Sequence, residues 1–276
     1  MNSSKILVLG ATGKTGRRIV HRLLESGHDI RQGSRHSETP FDWNDRDTWS
    51  AALDGVASVY ISYSPDLAIP GATDTIRAFV DQAVQNGVGR LVLLSGRGEA
   101  EAQECEKIVQ GSGVAWTLVR ASWFSQNFSE GPFVEMVQAG EIALPVGDVG
   151  EPFVDAEDIA DVAFAALTED GHDGQVYELT GPRLLTFADA MQEISGAMGR
   201  PVRFVQIPRE AFAEGVAASG APADIAWLMD YLFSTVMDGR NAYLSDGVKR
   251  ALGREPRDFA EYVSRTVADG AWKVPA

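Results

Sequence analysis

A chain of 276 residues, 45% of them hydrophobic and including 12 Phe and 6 Trp, can bury one large core or a core with a smaller satellite. Its 24 Lys and Arg stand against 39 Asp and Glu; the net charge of −15 repels phosphate backbones and anionic lipid, which argues against nucleic acid or a membrane surface as partner. No uncharged apolar run approaches the about 18 residues of a membrane-spanning helix, Cys105 has no second cysteine to pair with, and no apolar leader precedes Lys5, so a soluble cytoplasmic protein is expected.

In chain order, short β-branched runs alternate with amphipathic stretches. Strands are expected at 5–9, 29–33, a short one near Phe41, 58–62, 90–95 and 116–120, and helices at 15–26, 48–53, 72–86 and 102–111. That alternation predicts an α/β fold, a doubly wound parallel sheet of the Rossmann kind covered by helices. After Arg120 the texture changes. Apolar pieces at 142–146 and 176–180 and helices near 158–167 and 187–198 no longer alternate strictly. The expected organisation is therefore a nucleotide-binding core at 1–120 and a substrate-binding region at 121–276 that also adds to the core. Within the second, the Ala-, Met- and aromatic-rich segment 208–238, broken at Gly220, Pro222 and Gly239, reads as two helices joined by a turn, suited to a lid.

The run ILVLGATGKTGRRI at 6–19 places Gly10, Gly13 and Gly16 directly after a buried strand and directly before a helix. A tight turn at Gly10, close backbone approach at Gly13 and close helix packing at Gly16 aim helix N-terminal amides at a pyrophosphate, with Thr12, Lys14 and Thr15 beside it. Lys14 reads equally well as a solvated surface lysine. The second strand ends in Ser34 and Arg35, where a site preferring NAD carries a carboxylate for the ribose 2′-hydroxyl. A planar, permanently charged guanidinium beside a hydroxyl suits a 2′-phosphate instead, so NADP(H) is the expected cofactor. Asp42 and Trp43 follow the expected third strand, where the adenine would lie, although Trp43 also fits the core.

With these features, FDWN at 41–44 and WTLVRASWFSQNF at 116–128, the chain resembles an atypical short-chain dehydrogenase/reductase of the NmrA-like group, over nearly its whole length. LTGPRLLTF at 179–187, DGRNA at 238–242 and GREPRDFAEY at 253–262 resemble the bacterial branch grouped with ergot-alkaloid-type reductases. The resemblance implies a Rossmann fold, NADP(H) and a pocket built by the C-terminal third. It spans ketone, quinone and imine reductases as well as regulators that sense redox state without catalysis. In the parent family a Ser or Thr follows the fifth strand and a Tyr-x-x-x-Lys stands in the next helix. Ser95 matches the first. The Tyr and Lys positions fall on Gln103 and Lys107 in one register and on Gly98 and Ala102 in the other, and no tyrosine occurs between Tyr63 and Tyr177.

The expected activity is NADPH-dependent reduction of a carbonyl on a bulky aromatic, angucyclinone-like polyketide, with Ser95 polarising the oxygen and no Ser-Tyr-Lys triad. A serine hydroxyl is a poor acid at neutral pH, so the proton is assigned to Tyr60 or Tyr63, to water, or to an acidic hydroxyl of the substrate beside its carbonyl. The substrate's hydroxyl is the favoured source, and Tyr63 the favoured tyrosine because it lies nearer the carboxyl end of its strand. Trp123, Phe124, Asn127, Phe128, Phe153 and Trp227 are the candidate substrate-contacting residues, and ordinary packing is the competing reading for the aromatics. Asp155 and Asp158 read as a structural turn with a helix cap, and Arg254 with Asp258 as a solvated helix edge. Histidines 21, 28, 36 and 172 show no metal spacing, so no metal is expected.

Overall fold

The computed structural model describes residues 5–131 and 133–273. Two units make up the chain. One comprises the residues up to Ala121 together with Glu157–Leu179 and Asp246–Arg254; the other comprises Ser122–Ala156, Thr180–Ser245 and the residues from Glu255 onward.

The first unit begins with β1 (Lys5–Leu9), α1 (Gly16–Glu25), β2 (Ile30–Gly33), α2 (Asp47–Leu53), β3 (Val56–Ile61), α3 (Ala72–Gln85), β4 (Arg90–Gly96), α4 (Ala100–Gln110) and β5 (Ala115–Ala121). The strands are near-continuous apolar runs because both faces of a parallel sheet are covered. Strand order is β2-β1-β3-β4-β5, closed at the far edge by β7 (Gln175–Leu179), which pairs with β5 from Thr117↔Gln175 to Ala121↔Leu179. All pairings are parallel. The chain runs from β1 outward to β2 and then returns to the other side of β1 with β3, so the direction of winding switches between β1 and β3, where ligands of such sheets bind. On one face Leu7, Leu9, Val59, Ile61, Leu91 and Leu93 pack against Ile76, Phe79, Val80, Ala102 and Val109 of α3 and α4. Trp43, Trp49, Phe41 and Phe79 extend this core as a set of edge-to-face rings.

No strand forms near Phe41. Asp42 makes only an isolated bridge to Asp45, and its main-chain oxygen accepts from the Trp49 indole at 2.8 Å. The aromatic content that reads as a strand here serves packing, so the tyrosine-bearing strand is the third, not the fourth. The expected boundary after residue 120 also needs an amendment. Helix α6 (Ala156–Thr168) from Glu157 onward, β7 and α10 (Gly247–Leu252) return to the first unit. In α10 the return is tight, since a Cβ on Gly247 would overlap the Glu178 carbonyl oxygen.

The second unit holds α5 (Val134–Ala139), β6 (Glu141–Leu144), α7 (Phe187–Met198), β8 (Arg203–Gln206), α8 (Arg209–Ala218), α9 (Ala223–Tyr231) and α11 (Phe259–Asp269). Its β6 and β8 form a two-stranded parallel sheet. The core is aromatic: Phe128, Phe133, Phe153, Phe187 and Phe259 are fully or almost fully buried. Their rings meet mostly edge-to-face, as the quadrupoles prefer. The segment expected as two helices joined by a turn is α8 and α9, and a π-helical turn at Leu232–Val236 follows directly.

Candidate cofactor and catalytic site

The glycine loop leaves β1 at Gly10, whose positive φ of 65° suits glycine and whose amide donates to the Gly33 carbonyl at 3.0 Å. The Gly13 amide donates back to Gly10 O at 2.8 Å and closes the turn. A Cβ on Gly16 would overlap the Gly10 carbonyl oxygen, so only glycine lets α1 start this close to the strand. Helix α1 has no acidic residue in its first turn, which leaves its positive end to an outside anion. Thr12 is exposed, Lys14 is half-buried with its carbonyl accepting from Arg18 at 2.7 Å, and Thr15 is buried. These residues line the turn by which the chain passes from β1 into α1.

At the end of β2 the Ser34 carbonyl accepts from the Ser37 hydroxyl at 2.7 Å and from the Phe41 amide at 3.0 Å, which fixes the turn. Arg35 projects from it, exposed and without an ion-pair partner among the described residues. Asp42 and Trp43 are both structural here. The Asp42 carboxylate accepts from the Asn44 amide at 2.9 Å, and Trp43 lies in the aromatic core with its indole donating to Ser62 O at 3.3 Å.

The two tyrosines of β3 and its exit separate. Tyr60 is fully buried and donates to Thr15 Oγ1 at 2.9 Å, and burial pushes its phenol far above the ordinary tyrosine value, against the opposing hydrogen bond. It braces the glycine loop and holds no proton ready to give. Tyr63 is half-buried, with its ring 5.0 Å from Trp43. Ser95 ends β4, 4% exposed, and its Oγ has no hydrogen-bond partner among the described residues. An orphaned buried hydroxyl on the edge that carries the glycine loop is the feature an arriving carbonyl oxygen would satisfy. Helix α4 carries Gln103 and Lys107 where one register looked for Tyr and Lys. Lys107 pairs with Glu104 at 2.6 Å, on the solvent side. In the same unit Glu106 is bound in bidentate fashion by Arg120, and Arg97, 2% exposed, donates to Glu178 at 2.7 Å.

The residues assigned to substrate are divided in the second unit. Phe128 and Phe153 are packing residues of the aromatic core, with no face left for a ligand. Trp123 is half-buried and stacks on Phe133, and its buried Nε1 has no partner among the described residues. Phe124 makes a bridge to Val154, and Asn127 starts the short 3-10 turn's return with its amide on Phe124 O at 3.0 Å. Trp227 is 40% exposed and lies parallel to Tyr231 at 5.3 Å. Asp155 accepts from Gln126 at 2.7 Å and pairs with Arg265. Asp158, in the first unit, pairs with Arg254 at 2.8 Å. The reading of Arg254 and Asp258 as one solvated helix edge is corrected: Arg254 precedes α11 and serves α6, whereas Asp258 caps α11 and takes both Nε and Nη2 of Arg183.

The NAD(P)H-binding family matches residues 10–170, which include the glycine loop, Arg35 and Ser95. The chain belongs to this family. Among its relatives, the NAD(P)H azoreductase of Xenophilus azovorans is 32% identical over 95% of this chain and 98% of its own. The agroclavine dehydrogenase of Claviceps fusiformis is 31% identical over 94% and 96%. In fold, the chain matches the Citrobacter sp. triphenylmethane reductase complexed with NADP(H) at a TM-score of 0.79, with 19% identity over 95% of this chain and 99% of that one. It matches NmrA, a negative transcriptional regulator, at 0.72, with 17% identity over 99% and 100%. The relatives thus include ergot-alkaloid-type dehydrogenases, and the fold is one shared with NmrA. One buried acid, Glu99 ahead of α4, escaped the sequence reading: its Oε2 finds no partner among the described residues, and the burial of one acid in an acid-rich stretch carries no spacing signal.

Proposed function

We propose that this NAD(P)H-dependent oxidoreductase uses NADPH and reduces a carbonyl on a bulky aromatic metabolite of the angucyclinone polyketide type. The observation that carries the reading is Ser95 Oγ, buried and unpartnered at the end of β4. NADPH supplies the hydride. Gly10, Gly13 and Gly16 let the chain approach its pyrophosphate, Thr12, Lys14 and Thr15 line that approach, and the free Arg35 with Ser34 holds the 2′-phosphate. Ser95 Oγ donates a hydrogen bond to the carbonyl oxygen and stabilises the charge that grows there. A hydroxyl next to that carbonyl on the substrate, already hydrogen-bonded to it, gives the proton, because the chain has no tyrosine where the parent family keeps its acid. Within the second unit by itself, Trp227, stacked on Tyr231, is an exposed aromatic plane suited to a flat ligand. The azo, agroclavine and triphenylmethane compounds in the names of similar proteins support a bulky unsaturated substrate.

The azoreductase relative favours one second reading, in which the acceptor is a quinone or a carbon–nitrogen or nitrogen–nitrogen double bond. Incubation with NADPH deuterated at the transferred position decides between them. Deuterium on a new carbinol carbon is expected; deuterium on the carbon of an amine product would make the acceptor a carbon–nitrogen double bond, and a hydroquinone or a nitrogen–nitrogen reduction product without carbon-bound deuterium would make it a quinone or an azo group. The proton source is tested with Ser95→Ala and Tyr63→Phe. Both should keep substantial turnover, whereas loss of a positioned general acid costs ~10²–10⁴-fold. Substrate whose neighbouring hydroxyl is methylated should be reduced slowly. If it reacts at the normal rate while Tyr63→Phe is inactive, Tyr63 is the acid.

A further inference from the structure

The sheet face covered by α3 and α4 changes character at the carboxyl end of its strands. Partners in a parallel ladder point to the same face, and residues two apart along a strand stay on it. Leu91 pairs with Trp116, and Leu93 with Leu118, which pairs in turn with Val176. All of these pack in the core that Ala102, Cys105 and Val109 of α4 cover. Two residues further along the strands, Ser95 pairs with Arg120, and Arg120 with Glu178. The apolar rows therefore end in a polar row that crosses β4, β5 and β7 at the end where such sheets bind ligands.

Side-chain contacts agree with the common face. Arg120 Nε donates to Glu106 Oε1 of α4 at 2.9 Å, and Nη2 takes the other oxygen. Nη1 of Arg120 lies 3.7 Å from Glu178 Oε2, and the second oxygen of Glu178 accepts from Arg97 Nε at 2.7 Å. Arg97 carries the ladder one residue beyond β4, its amide donating to Ala121 O at 3.1 Å. Two guanidiniums thus face two carboxylates, and Glu106 and Arg97 are buried. Ser95 stands one strand spacing from Arg120, about 4.8 Å. Its buried Oγ nevertheless has no hydrogen-bond partner among the described residues. The charges of the row are matched with one another, and the hydroxyl is left over. Stability alone does not call for such a set, because buried ion pairs are often replaced by packed apolar groups at little cost.

We propose that Arg120, held by Glu106 and Glu178, is a positioning residue for Ser95: it ties α4 and β7 to the strand beside the serine and occupies both carboxylates, so that the hydroxyl stays open to a carbonyl oxygen. An ion-pair partner released here would seek a new hydrogen bond, and the Ser95 hydroxyl is the group of the row that has none to lose. The inference deepens the proposed function and rests on it for the role of Ser95.

The first test needs no turnover. In a Cys105→Ala background, which removes the native thiol, Ser95→Cys puts a thiol beside the row, and its alkylation by iodoacetamide across pH reports the local charge, since only the thiolate reacts. Glu106→Gln leaves Arg120 with less opposing charge and should speed alkylation at neutral pH about tenfold, whereas Arg120→Met leaves the carboxylates unopposed and should slow it by a similar factor. Opposite shifts from two changes that break the same ion pair are beyond a merely structural role. The second test is kinetic, with NADPH and a tetralone bearing a hydroxyl beside its carbonyl. Arg120→Met should lower kcat about fivefold, as Ser95→Ala does, with NADPH affinity unchanged, and should cost nothing further in the Ser95→Ala background. The proposal is overturned if Glu106→Gln leaves the alkylation profile unchanged, if both variants shift it the same way, or if Arg120→Met weakens NADPH binding or costs as much without Ser95 as with it. Should Arg120→Met fail to fold, Glu106→Gln, which keeps the shape of the side chain, decides by its alkylation profile alone. A wild type that reduces no tetralone would sink the proposed function, while the alkylation rates would still decide whether the row acts on position 95.

Discussion

The two units reach stability by different routes. The first is ordered by its backbone: six parallel strands repeat one ladder, and their apolar runs are covered by helices whose Ile76, Phe79 and Val80 follow the helical period. The second has a two-stranded sheet and relies on side chains, a knot of phenylalanines tied at its edges by Arg183 to Glu193 and Asp258 and by Arg265 to Asp155. A ladder tolerates variation in what covers it. A knot of rings depends on each ring, so single changes should be felt more in the second unit, while the first should reveal its changes through ligand binding.

The sharpest way to break the second unit is Phe187→Ala. This fully buried ring meets Phe128, Phe133, Phe153 and Trp123, and its loss should cost about 3–5 kcal/mol in denaturant unfolding. A cost under about 1 kcal/mol would mean that the cluster refills easily and that the contrast between the units is not real. The matching change in the first unit is Arg35→Ala. It should weaken NADPH binding by about 1.5–3 kcal/mol with little change for NADH and none in melting temperature. Unchanged NADPH affinity in parallel titrations would remove Arg35 from the 2′-phosphate.

A smaller effect is expected at α7, where Thr186 and Asp189 form a reciprocal cap and the hydrogen bond from Thr186 holds the Asp189 carboxyl below its usual value. Thr186→Ala should cost about 1 kcal/mol. A group with a lowered value contributes stability above the unfolded-state value and loses it as pH falls through the folded one, so the difference between variant and wild type should shrink in acid. A difference that stays constant from neutral pH into acid would show that the carboxylate takes no part. The mildest test concerns residues 208–238. Phe212 and Phe233 meet at 5.1 Å and anchor this segment in the aromatic core, while most of α8 is exposed. As a lid, α8 should exchange amide hydrogens faster without NADPH and substrate than with them. Equal protection in both states would make it a fixed part of the second unit.

Most of the first unit was legible in the sequence because its signals are local. Strand runs, helical spacing and the trio Gly10, Gly13 and Gly16 each specify backbone over a few residues, and β1, α3 and β5 form within one residue of where periodicity put them. The exception near Phe41 fails for a physical reason: aromatic residues that favour strands also fill cores, and here Phe41, Trp43 and Trp49 meet Phe79 edge-to-face without pairing along a strand. The exposed position of Arg35 after β2 was readable too, since it depends only on where that strand ends. The second unit was readable only as texture. Which aromatics are core, as Phe128 and Phe153 are, and which are exposed, as Trp227 is, depends on contacts far apart in the chain. The same holds for the return of α6, β7 and α10 to the first unit and for the pairing of Arg254 with Asp158.

By itself, then, the sequence determined the winding of the sheet and the glycine turn between β1 and α1, because each is written in neighbouring residues and in a 2.0 or 3.6 period. Tertiary structure alone decided that Tyr60 braces Thr15 and that, among the described residues, Ser95 Oγ and Glu99 Oε2 are left without partners. Burial and the approach of distant segments set those properties, and neither is a function of local order along the chain.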